Sequence, residues 1–141
     1  MITITRYHDI SAGHRVVGHE NKCAHLHGHN FRVHFTITAA ELDSVGRIMD
    51  FSVIKSKLSD WLENNWDHRF LIYEQDELLP GLKALVPGDL VICPFNPTAE
   101  NMAKHLCEVV GIEQLHGTGC KLVKVTIEET RKCSASYEMK V

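Results

Sequence analysis

The run from Phe31 to Ala39 constrains this chain most. Phe31, Val33, Phe35, Ile37 and Ala39 are apolar, and Arg32, His34, Thr36 and Thr38 alternate with them. A period of two over this length predicts a β-strand with one face covered. A one-residue slip would turn the whole apolar set to solvent, so this strand dictates the register of its neighbours. His27 and His29 share the parity of Phe31. If the strand reaches back that far, both imidazoles stand at the edge of the covered face, with Cα atoms about 6.5 Å apart. Gly28 between them leaves room for a close backbone approach.

The remaining elements assemble around this strand. Ile2 to Asp9, rich in Ile, Thr and Tyr, reads as a strand. Ile54, Leu58, Trp61 and Leu62 recur at helical spacing, with Asp50 or Ser52 as cap. A second helix is predicted to open at Asn96-Pro97-Thr98, with Asn96 as cap and Pro97 in the first position. Ala99, Met102, Ala103, Leu106 and Val110 form its apolar face, and Gly111 is its expected stop. Val123, Val125 and Ile127 alternate with Lys124 and Thr126 in a third strand, and Ser134 to Val141 supplies a fourth. The order strand-strand-helix-helix-strand-strand fits an α+β domain: an antiparallel four-stranded sheet with two helices on one face. Residues 72–95, broken by Pro80-Gly81 and Pro87-Gly88, read as a long excursion in which Asp89 to Cys93 suits a short extra strand.

Bulk properties narrow the function classes. A length of 141 residues predicts one domain over 1–141, and 44% hydrophobic with 23% charged residues predicts an ordinary core. A net charge of −3 argues against nucleic acid as partner, and no stretch reaches transmembrane length. The five cysteines are odd in number and lack a C-x-x-C pair. They read as reduced thiols of a cytoplasmic protein.

The chemistry-bearing residues cluster. His14, His27 and His29 suit the three ligands of a catalytic zinc site with one open position. Cys23 has three readings: a fourth zinc ligand, a base whose pKa is lowered by neighbouring positive charge, or a small buried hydrophobe. His25 is read as a non-ligand in the preceding loop. Asp67 can orient His68 and raise its basicity, although adjacent Asp-His pairs are more often surface or capping pairs. Glu129 continues the covered face of Val125 and Ile127, where a carboxylate needs a partner. It can accept two hydrogen bonds from a flat N–H/NH₂ edge, although a salt bridge or loop cap is the more ordinary role. Glu128 shares the face of Lys124 and Thr126 and is expected in solvent.

Taken together, Ser11-Ala-Gly-His14-Arg, Cys23-x-x-x-His27-Gly-His29, Met49-Asp50-Phe51, Asp67-His68-Arg69-Phe70-Leu71, Asn96-Pro97-Thr98-Ala99-Glu100-Asn101 and Glu129-Thr130 resemble the 6-pyruvoyl-tetrahydropterin synthase / 6-carboxy-tetrahydropterin synthase family, in its order and over nearly the whole chain. The resemblance implies the tunnelling fold, with sheets joined edge to edge in rings, a homo-oligomer expected as a hexamer, and sites between subunits. It implies zinc on His14, His27 and His29, and Cys23 as general base. His68, oriented by Asp67, would act from a neighbouring subunit. Glu129 would anchor a pterin ring, with Thr98 assisting. The three-residue gap between Cys23 and His27 is similar to that of the bacterial 6-carboxy-tetrahydropterin enzymes of queuosine biosynthesis. These convert 7,8-dihydroneopterin triphosphate with loss of triphosphate and acetaldehyde. The 6-pyruvoyl enzymes, which keep the side chain, are the alternative. Three departures from the pattern stand out: Ile10 in place of an aromatic, Trp66 in place of Leu, and the length of the 72–95 excursion.

Overall fold

The alternating run forms strand β2 (His27–Ala39), which does reach back to both histidines. This is seen in a computed structural model that describes residues 1–18 and 24–140. Phe31, Val33, Phe35 and Ile37 lie in the core. Strand β1 (Ile4–His14) pairs antiparallel with β2 without a break, from Ile4 opposite Ile37 to His14 opposite His27. β1 is thus longer than the expected Ile2–Asp9, and His14 is its last residue. The pairing sets Gly13 against Gly28. A Cβ on Gly28 would come within 2.8 Å of the Ala12 carbonyl oxygen, so only glycine permits this approach.

The sheet itself corrects the sequence expectation. It has six strands and is mixed, in the order β4-β3-β1-β2-β5-β6, instead of four antiparallel strands. β5 (Cys120–Glu128) pairs antiparallel with β2, and β6 (Ser134–Glu138) with β5. The additional strands are β3 (Phe70–Tyr73) and β4 (Leu90–Cys93). β3 runs parallel to β1 at Gly13 and His14, and β4 runs parallel to β3. Parallel neighbours require a crossover; here the 72–95 excursion supplies it, through a helix α2 (Leu79–Leu85) and a 3-10 turn Pro87–Asp89. The short strand expected near Asp89 to Cys93 is β4. β3 escaped notice because Phe70-Leu-Ile-Tyr73 is too short to show alternation.

Helix α1 covers residues 51–65, with a π-helical segment Lys55–Ser59 between Phe51–Ile54 and Asp60–Asn65. Its cap is Asp50, which accepts from the Ser52 N–H. Ile54, Leu58 and Leu62 face the core. Helix α3 covers residues 99–114, again with a π-helical segment, Leu106–Val110. Its cap is Thr98 and not Asn96, and Gly111 does not stop it. Gly111 is a packing residue: a Cβ there would lie 2.7 Å from Leu122 Cδ2 on β5. All five apolar residues expected on this helix are buried. Both helices share one core with β1, β2 and β5. A bulge at Thr36/Ile37 shifts the β2–β5 register, so Leu122 joins Val125 and Ile127 in the core cluster, and Val123 is buried as well. Among the described residues no helix is long and apolar enough to cross a membrane.

One buried ion pair ties the excursion to the end of β1. The Arg15 guanidinium donates to Asp76, whose side chain is fully buried, and its Nε donates to the Ala24 carbonyl at 2.7 Å. The Asp76 carboxylate also accepts the Leu78 N–H at 2.8 Å. Removing one partner of a buried pair strands the other charge. Asp76→Ala should therefore lower unfolding stability by about 3–5 kcal/mol in a denaturant titration. A change within 1 kcal/mol or so would contradict this. Gly28→Ala should cost about 1–3 kcal/mol by forcing β1 and β2 apart, and should weaken metal uptake at the adjoining histidines. Parent-like stability and metal content would refute the close-approach argument.

Candidate metal centre

The β1–β2 register delivers the histidines to one point. His14 ends β1 directly opposite His27, and His29 follows on the same face. Their ligand atoms all lie within 4.8 Å of one another, and this trio can hold a metal ion. His14 is completely buried, and His27 and His29 are partly so. Each flanking contact suits metal binding through Nε2. His14 Nδ1 lies 2.7 Å from the Pro97 carbonyl, which makes it the protonated nitrogen and leaves Nε2 as the bare donor. His27 Nδ1 lies 2.8 Å from the His25 carbonyl and gives the same result. His25 contributes its backbone carbonyl to this contact and lies outside the trio.

The Nε2 atoms of His14 and His27 stand 3.0 Å apart. This is close to the about 3.3 Å edge of a tetrahedron built on zinc–nitrogen bonds of about 2.05 Å. His29 Nε2 is buried without a hydrogen-bond partner, an expense that a metal ion would remove. Burial, opposed by the Pro97 carbonyl and Glu129, holds the His14 pKa below its ordinary value. Burial does the same to His29, against the pull of Glu129. Both imidazoles are therefore kept neutral and able to ligate. A donor set of three imidazoles is the kind zinc prefers.

Glu129 lies just past β5, with Oε1 3.6 Å from His14 Nε2 and 3.9 Å from His29 Nε2. It is on the covered side, as its parity predicted. Its neighbour Glu128 is not free in solvent: it pairs with His34 on the open face of the sheet and is about one-third exposed.

Asp67 and His68 enter where α1 hands over to β3. Asp67 accepts from the Ser11 N–H at 2.9 Å and from His68 Nδ1 at 2.9 Å. Burial works to raise the Asp67 pKa, and the Ser11 and His68 bonds together outweigh it and leave the carboxyl below its ordinary range. His68 adopts a left-handed backbone with φ 59°, unusual outside glycine. Its N–H donates to the Ser11 carbonyl at 2.7 Å, which holds that conformation. The imidazole is 80% exposed, so its Nε2 is presented outward. A cavity of about 830 Å³ is lined by His29, Glu129, Asp67 and His68 together with Ser11 and Arg131. Thr98 is half-buried, and its hydroxyl oxygen accepts the Asn101 N–H at 3.1 Å. Cys23 lies outside the described residues. The backbone carbonyls of Pro97 and His25 were not singled out in the sequence, since a carbonyl carries no residue-type signal.

Comparisons with known proteins find similarity over nearly the whole chain. The family model described as 6-pyruvoyl tetrahydropterin synthase matches residues 3–140. A relative from Rickettsia typhi named 6-carboxy-5,6,7,8-tetrahydropterin synthase is 34% identical over 134 residues, covering 94% of this chain and 97% of the relative. One from Halobacterium salinarum, named a probable 6-carboxy-5,6,7,8-tetrahydropterin synthase, is 35% identical and covers 89% and 79%. Among solved structures, an uncharacterized protein from Wolinella succinogenes superposes with a TM-score of 0.85 at 24% identity, over 99% of this chain and 98% of that one. The 6-pyruvoyl tetrahydropterin synthase of Caenorhabditis elegans gives 0.70 at 25% identity, over 99% and 96%. With a family model matched over residues 3–140 and a relative 34% identical over nearly its whole length, the chain belongs to the 6-pyruvoyl tetrahydropterin synthase family.

Proposed function

We propose that this protein is a zinc-dependent lyase that converts 7,8-dihydroneopterin triphosphate and one molecule of water to 6-carboxy-5,6,7,8-tetrahydropterin, acetaldehyde and triphosphate, in the cytoplasm and in queuosine synthesis. The carrying observation is the convergence of His14, His27 and His29, two of them with Nδ1 facing a backbone carbonyl and the third with a buried, unpartnered Nε2. The names of the similar proteins from Rickettsia typhi and Halobacterium salinarum support the product. So does the three-residue gap before His27-Gly-His29.

His14, His27 and His29 would hold the zinc. When bound, the metal supplies Lewis-acid polarisation of substrate oxygens and so acidifies the adjoining C–H. The Cys23 thiolate takes that proton as general base. His68 relays protons through its outward Nε2 while Asp67 holds Nδ1. Glu129 accepts the flat N–H edge of the pterin, and Thr98 contributes from the cap of α3. Fixing the ring brings the reacting carbon to the base, an orientation effect. The site is shared between subunits of a hexamer. Two features support assembly through sheet edges: β6 ends the sheet, and among the described residues β3 covers β1 only at Gly13 and His14.

Incubation of the zinc-loaded protein with 7,8-dihydroneopterin triphosphate tests the reaction. The expected products are 6-carboxy-tetrahydropterin, acetaldehyde and triphosphate. Triphosphate release without acetaldehyde would instead establish the 6-pyruvoyl reaction. A complementation assay tests the shared site. Cys23→Ala and His68→Ala should each be inactive, and an equal mixture after subunit exchange should regain about a quarter of the parent rate, because one site in four then carries both groups. A mixture that stays inactive would place Cys23 and His68 within one chain's site.

A further inference from the structure

Asn96 is half-buried, bears no charge and does not cap the helix that follows it, yet its side chain makes two well-formed bonds. Oδ1 accepts the Val17 N–H at 2.9 Å, and Nδ2 donates to the Val17 carbonyl at 2.9 Å. The amide thus pairs with both polar groups of one residue, as a neighbouring strand would. Its own backbone is fixed in turn, since the Asn96 carbonyl accepts the Thr98 N–H at 2.8 Å and Asn101 Nδ2 at 3.0 Å. The next carbonyl along, that of Pro97, faces His14 Nδ1 at 2.7 Å. Residues 14 and 17 on one segment are therefore both pinned to residues 96 and 97 on the other. The result is a closed loop of covalent and hydrogen bonds around the end of β1.

We propose that Asn96 is a positioning residue for the metal ligand His14: by clamping Val17 it holds the Pro97 carbonyl against Nδ1 and aims Nε2 at the shared point. The proposal rests on the metal reading of the trio. Groups that orient a ligating histidine are worth about 10–100-fold in metal affinity. Other bonds can stabilise the fold without touching this geometry. Asn65, whose amide donates to the Trp61 carbonyl at the end of α1, provides a comparison of that kind.

Zinc affinity of the full-length protein, measured by competition with a chelating dye, tests this. Asn96→Ala should weaken zinc binding about 10–100-fold and alter the visible spectrum of the cobalt-loaded protein, whereas Asn65→Ala should change neither. Asn96→Asp keeps the shape and the acceptor for the Val17 N–H but sets an oxygen against the Val17 carbonyl. It should therefore behave like the alanine variant, and it provides the reading should Asn96→Ala fail to fold. Parent-like zinc affinity and cobalt spectrum in either folded variant would overturn the proposal, whatever the change in melting temperature. A parent protein whose zinc content is unaffected by His14→Ala would overturn the three-histidine reading itself, and this proposal with it.

Discussion

The antiparallel pairing of β1 with β2 is the constraint on which the rest depends. It runs without interruption from Ile4 opposite Ile37 to His14 opposite His27. Its middle buries Ile10, Phe31, Val33 and Phe35 beneath the two long helices. That burial sets the register, because a slip of one residue would expose every one of these side chains. The same register carries the last residues of β1 and the first of β2 to the edge of the core, where the apolar set gives way to three imidazoles. The two glycines paired there let the backbones close in. The centre is therefore the terminus of the core, built by the packing that stabilises the fold.

Burial and hydrogen bonding then act together on the histidines. Burial alone disfavours the imidazolium form. Backbone carbonyls next to Nδ1 of His14 and His27 select the tautomer that leaves Nε2 free. The Glu129 carboxylate, close to two of the three Nε2 atoms, places negative charge beside the point where a dication would sit. The fold thus prepares a converged donor set that can hold a metal ion, next to a carboxylate.

Much of this was legible in the chain itself. The alternation in β2 and the parity of His27 and His29 follow from a single periodicity. The apolar faces of α1 and α3 and the cap at Asp50 follow from local chemistry. What the sequence hid has physical causes. β3 is too short to display a period. The bulge between β2 and β5 brings Leu122 into the core cluster, and a bulge leaves no mark in residue type. The cap of α3 moved from Asn96 to Thr98 because the Asn96 side chain is engaged by Val17 instead. Gly111 looked like a stop, and packing against Leu122 explains its smallness better. That His14 faces His27 could be known only once β1 was seen to continue past Asp9. The placement of Cys23 lies outside the described residues, so its role rests on the motif.

Zinc K-edge X-ray absorption on the loaded protein tests the central claim most directly, since it reads the ligand atoms themselves. A catalytic centre on His14, His27 and His29 predicts three imidazole nitrogens at about 2.0–2.1 Å, one further light-atom ligand and no sulfur. A sulfur shell at about 2.3 Å would make Cys23 or another cysteine a ligand. The centre would then be closed, and the account of Cys23 as a base beside an open metal site would be contradicted.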